Sequence, residues 1–451
     1  MLREKRSAII KYARDNSIYL ENNFIVYDMF RGNLLPYVKE VLKKSLSPQY
    51  FEKIEHRLVV INILERYIKK VSVAYENPPS RIADTPENQK ILDYYIDAFA
   101  MNKKGRVADQ YSHLFKGYAF EPFFDDKPKL RVLPYDRFLP YSDNQVDPTS
   151  ETVFIKTMGK KYINGKDLNV YYAFTKDEID AFTEDGETYY PALEGNDGIN
   201  PYNEIHFTYG NRAENELLPV QDTDIIAMSK LISVLLSDLS GANLFQCFSV
   251  LYGIDVDFEN AVWSPNALWS IKSDDNKKPE VGVIKPTVDT TEVMNFVVSV
   301  FVMWLETKGV RVGSIGSIDA GNMASGISKI IDEMDVYKVV KDSISFFESD
   351  EKEFWQKMIN VHNNWIDNGY IKGLGKLPDT FMVDIKFPEP QPQRQKADLI
   401  AEKKLEVDSG FKSKRKAIKE LNPDMTDADL ELELAEIENE SLVEVSFNGQ
   451  V

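Results

Sequence analysis

The sequence predicts a mainly α fold with a smaller β part, an α+β chain built in several segments. Three observations carry that expectation. Apolar residues recur at three- and four-residue spacings through roughly the first 120 residues and again from about 219 onward. Short β-branched and aromatic runs, bounded by Gly, Asn, Asp and Pro, fill residues 118–210. Residues 327–368 contain neither glycine nor proline.

Each element follows from its local pattern. Ile54, Leu58, Ile61, Leu64 and Ile68 read as one helical stripe that stops at Asn77-Pro78-Pro79. "ENQKILDYYIDAFAMNKKG" follows as a second helical pattern, with Pro86 ahead of it and Gly105 near its end. "ETVFIKTMG", "NVYYAFT" and "EIHFTYG" read as strands, whereas "LPYDRFLPYSD" carries two prolines and is unsuited to a central strand. In 219–247, Pro219, Asp222 and Asp224 suit a first turn, and Ile225, Met228, Ile232, Leu235 and Leu239 form a packing seam. Residues 248–289 are turn-rich, with Trp263, Trp269 and "SDDNKKPE" as a hairpin tip. An apolar helix over 290–310 comes next, with Val293 to Leu305 as its apolar face.

Residues 327–368 read as one helix of roughly 60 Å, at about 1.5 Å per residue. That length suits a strut more than a compact enzyme core. A strand, "TFMVDIKF", leads to the extended linker "PEPQPQRQ" and a helical, charge-segregated C-terminal part. There, five basic residues lie between Lys412 and Lys419, and eight acids between Asp424 and Glu440, with Thr426 and Asp429 resembling a capping box. The basic run reads as one side of a charge-paired helix hairpin or a subunit contact.

Composition limits the function. The chain has 451 residues, of which 43% are hydrophobic, enough for a sizeable core. Its 72 acidic residues outnumber 54 basic ones, for a net charge of −18. That balance argues against a tight DNA clamp but not against a protein that lets DNA slide past. The single cysteine, Cys247, excludes an internal disulfide and a cysteine-based metal site, as expected for a chain made in a reducing cytosol. No signal-like apolar run opens the chain, and Val293 to Leu305 falls well short of the ~20 residues that span a bilayer. The expectation is a protein without a membrane segment.

Catalytic and metal signals are weak. His56, His113, His206 and His362 lie in separate segments, and His206 reads as a satisfied strand residue rather than a ligand. "DNQVD" and "SDDN" do not fit a calcium loop, and no G-x-S-x-G is present. The expectation is no catalytic residue, no metal and no cofactor.

The stretch "GSIGSIDAGNMASGISK", Gly313 to Lys329, holds four glycines and four serines between helical segments. Its "GNMASGIS" part has the glycine spacing of a phosphate-binding loop, but Ile327 stands where that loop needs its lysine. Such a loop also follows a strand, and this one follows a helix. The nucleotide reading therefore fails, leaving a flexible connection or a mobile loop lining a channel.

The helix "LLPVQDTDIIAMSKLISVLLSDLSGANLF", the run of helix, Gly/Ser loop, "SGIS" and long helix, and the "VDIKFPEPQPQRQ…ELAEIENE" tail resemble, in order, portal proteins of tailed double-stranded DNA bacteriophages. "LPYDRFLPYSD" is similar to a phrase found in the middle of the portal wing. The resemblance covers most of the chain and implies a ring of about twelve copies at one capsid vertex. It implies a wing over 1–218, stem helices over 219–247 and 290–310, and a clip over 248–289. It further implies a tunnel loop over 311–326, a long wing helix and returning strand over 327–393, and a crown over 394–451. Gly313, Ser314, Gly316, Ser317, Asp319, Asn322 and Met323 would face DNA. Lys308, Arg311 and Lys329, at the loop's edges, would touch DNA transiently or pair with carboxylates of a neighbouring subunit. Trp263 and Trp269, with Lys277 and Lys278, would pack locally or form the clip's partner surface. Implied partners are other copies of the chain, double-stranded DNA, a terminase motor that hydrolyses ATP, tail or adaptor proteins, and the major capsid and scaffolding proteins, in a virion assembled in the host cytoplasm. Two alternatives stay open: a virion structural or adaptor protein without a channel, and an enzyme with a dispersed carboxylate site.

Overall fold

The computed structural model describes residues 2–189, 198–212, 216–247, 250–254, 280–284, 290–312, 334–388, 396–422, 430–431 and 434. Helix predominates and the strands form small antiparallel sheets, the α+β class the sequence predicts. The chain divides into two compact units, Met1–Pro390 and Gln391–Val451.

The first unit opens with α1 (Leu2–Asp15), α2 (Ser17–Phe30), α3 (Leu35–Ser45), α4 (Pro48–Ile54) and α5 (Ile63–Val71). The stripe from Ile54 to Ile68 is therefore two helices, not one. A 3₁₀ turn at Glu55–Arg57 ends the first, and the run Leu58-Val59-Val60-Ile61 is neither helix nor strand, with Leu58 in extended backbone. Asn62 then starts α5 afresh, its Oδ1 accepting from the Glu65 amide at 3.1 Å. β-branched residues favour that spacer over a continued helix.

Strand β1 (Ser80–Ala83) precedes α6 (Pro86–Phe99) and α7 (Met101–Phe115). Thr85 caps α6, Pro86 sits in its first turn, and left-handed Ala100 (φ 50°) folds α7 back. Next come β2 (Gly117–Phe124), β3 (Pro128–Leu133), β4 (Phe138–Tyr141), β5 (Val153–Ile163), β6 (Lys166–Phe174), β7 (Ile179–Thr183) and β8 (Thr208–Asn211). They make a three-stranded sheet, β3-β2-β8, and a four-stranded sheet, β4-β5-β6-β7. Strand β4, which contains Pro140, lies at a sheet edge, where a missing amide donor costs no ladder bond.

Helix α8 (Thr223–Cys247), ribbon strands β9 (Val250–Ile254) and β10 (Glu280–Ile284), and α9 (Thr290–Thr307) follow. Then come β11 (Arg311–Val312), β12 (Met334–Asp335), α10 (Tyr337–Asp367) and β13 (Val383–Lys386), the last paired antiparallel with β1. The long helix is thus 31 residues, beginning at Tyr337 rather than near 327. Met334 and Asp335 pair with Val312 and Arg311 instead, which holds that stretch extended.

Three apolar clusters hold this unit. The first joins α2, α3 and α5 to α8, α9 and an aromatic column from the β-part. The second wraps α6, α7, β2 and β3 around α10, whose Trp355 and Trp365 are buried. The third seats Leu2, Ile9 and Ala13 of α1 on the four-stranded sheet, where Arg6 makes two 2.7 Å bonds to Asp180. In the second unit, α11 (Lys396–Asp408) and α12 (Lys414–Leu421) meet at a turn with left-handed Gly410. Lys412 pairs with Glu406 and Glu420, Lys403 with Glu420, and Arg415 with Glu431. The basic run is thus engaged in a charge-paired helix hairpin.

Candidate functional site

Helices α8 and α9 form an antiparallel pair. Lys308, just past the end of α9, reaches Asp222 (2.5 Å) and Asp224 (2.8 Å) at the start of α8, so the helix ends meet at one root. The charges also suit the helix dipoles, anion at an N-terminus and cation at a C-terminus. From that root α8 runs about 37 Å, at ~1.5 Å per residue, to the ribbon. Strands β9 and β10 pair there from Val250↔Ile284 to Ile254↔Glu280 and close the intervening insert at its base.

The side of α8 turned to the core differs from the expected seam. Ile225, Ile232 and Leu236 are buried, together with Ser229, Ser233 and Ser237, whereas Leu235 and Leu239 stay half-exposed. The serines are small enough to bring neighbouring backbone close. Ser237 Oγ accepts from the Val59 amide at 3.0 Å and donates to Ser233 O at 2.8 Å. On α9, Met294, Val297, Phe301, Trp304 and Leu305 face inward, with Trp304 against Tyr67 at 5.0 Å between ring centroids. The outer faces are mixed but carry large apolar side chains: Leu231 on α8 and Phe296 and Met303 on α9 are exposed, the last two at 57% and 60%. Phe296, Ser299 and Met303 form a single stripe.

The residues that flank the Gly/Ser-rich segment pair in a two-residue ladder, Arg311↔Asp335 and Val312↔Met334. Gly313, Ser314, Gly316, Ser317, Asp319, Asn322, Met323 and Lys329 lie outside the described residues, as do Trp263, Trp269, Lys277 and Lys278. Of the three cations expected at the loop's edges, Lys308 has carboxylate partners within its own chain. Arg311 stands in β11, at the mouth of the loop.

Beyond the ladder, α10 is held by buried polar groups that no short motif announces. Arg81 of β1 forks onto Glu351, Nε to Oε2 at 2.6 Å and Nη2 to Oε1 at 2.8 Å, while Nη1 reaches Asn102 at 2.7 Å. Tyr75 donates to the same carboxylate at 2.6 Å. One residue earlier, Asp350 accepts from Tyr118 at 2.9 Å. A Cβ on Gly210 would sit 2.3 Å from Asp350 Oδ2, so β8 passes this close only with glycine there. Arg212 donates to Ser112 and Ser343, linking α7 to α10. Beside it, His113 is held below its ordinary pKa by burial and by Arg212, against the pull of Asp109.

Burial pushes the Asp350 carboxyl up to about 7; Glu353 and Glu351 add to this, and Tyr118 and Arg212 oppose it. An unfolded aspartate titrates at ~3.9, so between those values the folded chain holds a proton the unfolded chain releases. Stability from this group is full below about pH 4 and is lost as pH rises through about 7. Asp350→Asn keeps an acceptor for Tyr118. Its melting temperature should match the wild type below about pH 4 and exceed it at pH 8. Equal loss at both pH values would contradict the assignment.

His206 precedes β8 instead of lying within a strand, and it is not satisfied. Its Nδ1 is buried without a hydrogen-bond partner among the described residues, and burial lowers its pKa to about 3. It packs on Phe207, Tyr202 and Phe174 as a neutral ring. Among the described residues no three His, Cys, Asp or Glu side chains gather as a metal site, and no helix is long and apolar enough to cross a membrane.

No family model and no curated protein matches the chain. Among solved structures it is similar to a chain of the "Virion of native gene transfer agent (GTA) particle", at 10% identity and a TM-score of 0.36. The alignment covers 85% of this chain and 98% of that one. A likeness of that degree fixes neither family nor role.

Proposed function

We propose that this chain is the subunit of a phage portal. About twelve copies would close a ring at one capsid vertex through heterologous contacts repeated around an axis. Double-stranded DNA would pass through it during packaging and ejection. Terminase, tail adaptors, capsid and scaffolding proteins would dock on it.

The observation that carries this reading is an order of elements. An antiparallel helix pair bears one insert closed by a ribbon, and a Gly/Ser-rich segment closed by a ladder then leads into an anchored 31-residue helix. In the proposal α8 and α9 are the stem, 255–279 the body of the clip, 313–326 the tunnel loop, α10 the wing strut and 394–451 the crown. The exposed apolar side chains Leu231, Phe296 and Met303 of α8 and α9 would meet the neighbouring copies. A net charge of −18 suits a conduit, since every phosphate gripped by a cation would add affinity and friction.

Replacing Gly313 to Gly326 with a short linker tests the loop's role. Rings should still form, while DNA packaging and retention fall sharply. Unchanged packaging would remove the loop from the mechanism, and loss of the ring would make it an assembly element.

A further inference from the structure

Strands β5 and β6 run well beyond the sheet that contains them. Strand β4 pairs with β5 only between Val153 and Lys156, and β7 pairs with β6 only between Val170 and Phe174. The β5–β6 ladder continues to Ile163↔Lys166. Residues from about 158 to 169 are therefore a two-stranded arm with no further strand on either edge among the described residues. The register shifts between Thr157 and Lys160, at left-handed Gly159 (φ 71°), where a bulge bends the arm relative to the sheet. A tight turn, Asn164-Gly165, with both residues at positive φ, closes the tip.

The arm is basic where the chain as a whole is acidic. Lys160, Lys161 and Lys166 are exposed and make no ion pair among the described residues. Tyr162 is 78% exposed, with Ile163 beside it at the turn and Asp167 as its cross-strand neighbour. A bare two-stranded ribbon is marginal in water, so an arm with an uncovered aromatic tip gains from contact with another surface. An aromatic anchor with a charged surround is the composition of a protein-docking patch. The acidic body, at net −18, disfavours a polyanion as the occupant and makes another copy of the chain a source of carboxylates.

We infer that the β5–β6 arm docks on a carboxylate-bearing surface of a second copy of this chain, with Tyr162 as anchor and the three lysines as its charged surround. This rests on the ring reading, in which each copy has a neighbour at a fixed offset.

The test compares the wild type with the triple variant Lys160→Glu, Lys161→Glu and Lys166→Glu by light scattering across protein concentration and salt. Duplex DNA binding is measured on the same samples. The variant should keep its melting temperature, and its half-assembly concentration should rise about tenfold or more. Wild-type assembly should weaken with salt. A photo-reactive phenylalanine analogue at position 162 should give a cross-linked dimer, a readout that survives if the triple variant misfolds. A ring that forms equally well with the triple variant, without cross-linking at 162, overturns the arm's role and leaves the ring reading standing. Lost DNA binding with intact assembly overturns it in favour of nucleic acid. A wild type that is monomeric at every concentration and salt overturns both.

Discussion

Arg81→Met is expected to destabilise the first unit by roughly 3–5 kcal/mol, the range for breaking a buried ion pair by removing one partner. The side chains of Arg81 and Glu351 are 2% and 0% exposed, so water cannot replace the guanidinium. Without it, Glu351 keeps the Tyr75 hydroxyl but loses both charge-assisted bonds, and Asn102 loses a donor. The pair also ties β1 to the middle of α10 across 270 residues of chain, so the loss should loosen β1–β13 pairing first. Chemical denaturation gives the magnitude. The double variant Arg81→Met with Glu351→Met should recover much of the loss, because no uncompensated charge remains. A single variant within 1 kcal/mol of the wild type, roughly the value of an exposed pair, would contradict a buried role.

Phe154→Ala should cost about 3–5 kcal/mol by a different route, the loss of buried area plus the cavity left behind. Phe154 is fully buried in β5 between two parallel rings, Phe138 at 5.1 Å and Phe207 at 4.0 Å between centroids. Tyr135 extends the column at 4.4 Å from Phe138, and Phe174 abuts Phe207 at 4.8 Å. Removing the central ring takes away the stacking partner of both Phe138 and Phe207, and strands on both sides limit collapse. Phe154→Leu, which keeps most of the volume, should cost less than half as much. Equal losses would mean that ring stacking, not volume, dominates the site. Hydrogen exchange should place the loosening in β4–β6 and β8.

Local chemistry explains which elements could be read from the sequence. Thr85-Pro86, the proline in β4 and the helical spacing of α8 and α9 all act within a few residues, and they are visible without tertiary information. Asn164-Gly165 is also a local hairpin signal, and it marks the turn between β5 and β6. The helix starting at Tyr337 was not visible in this way, because the ladder that keeps Met334 and Asp335 out of the helix is formed with Arg311 and Val312, across the loop. The buried face of α8 was equally hidden. Periodicity favours Leu235 and Leu239, while close packing against Val59 selects the serines. Lys308, expected at the loop's edge, and Asp222 and Asp224, expected only as first-turn residues, are individually ordinary surface charges until antiparallel packing brings them together. The Arg81–Glu351 fork and the His113–Arg212 contact likewise join distant segments, so no short motif can signal them.

The ring itself is the central claim, and mass settles it most directly. Light scattering of the purified full chain, with images of the same peak, should give a closed particle of about twelve copies. Its axial hole should admit a DNA duplex, roughly 20 Å across, whose major groove alone is ~12 Å wide. A monomer or small open oligomer at every concentration and salt, with no ring in the images, would contradict the account.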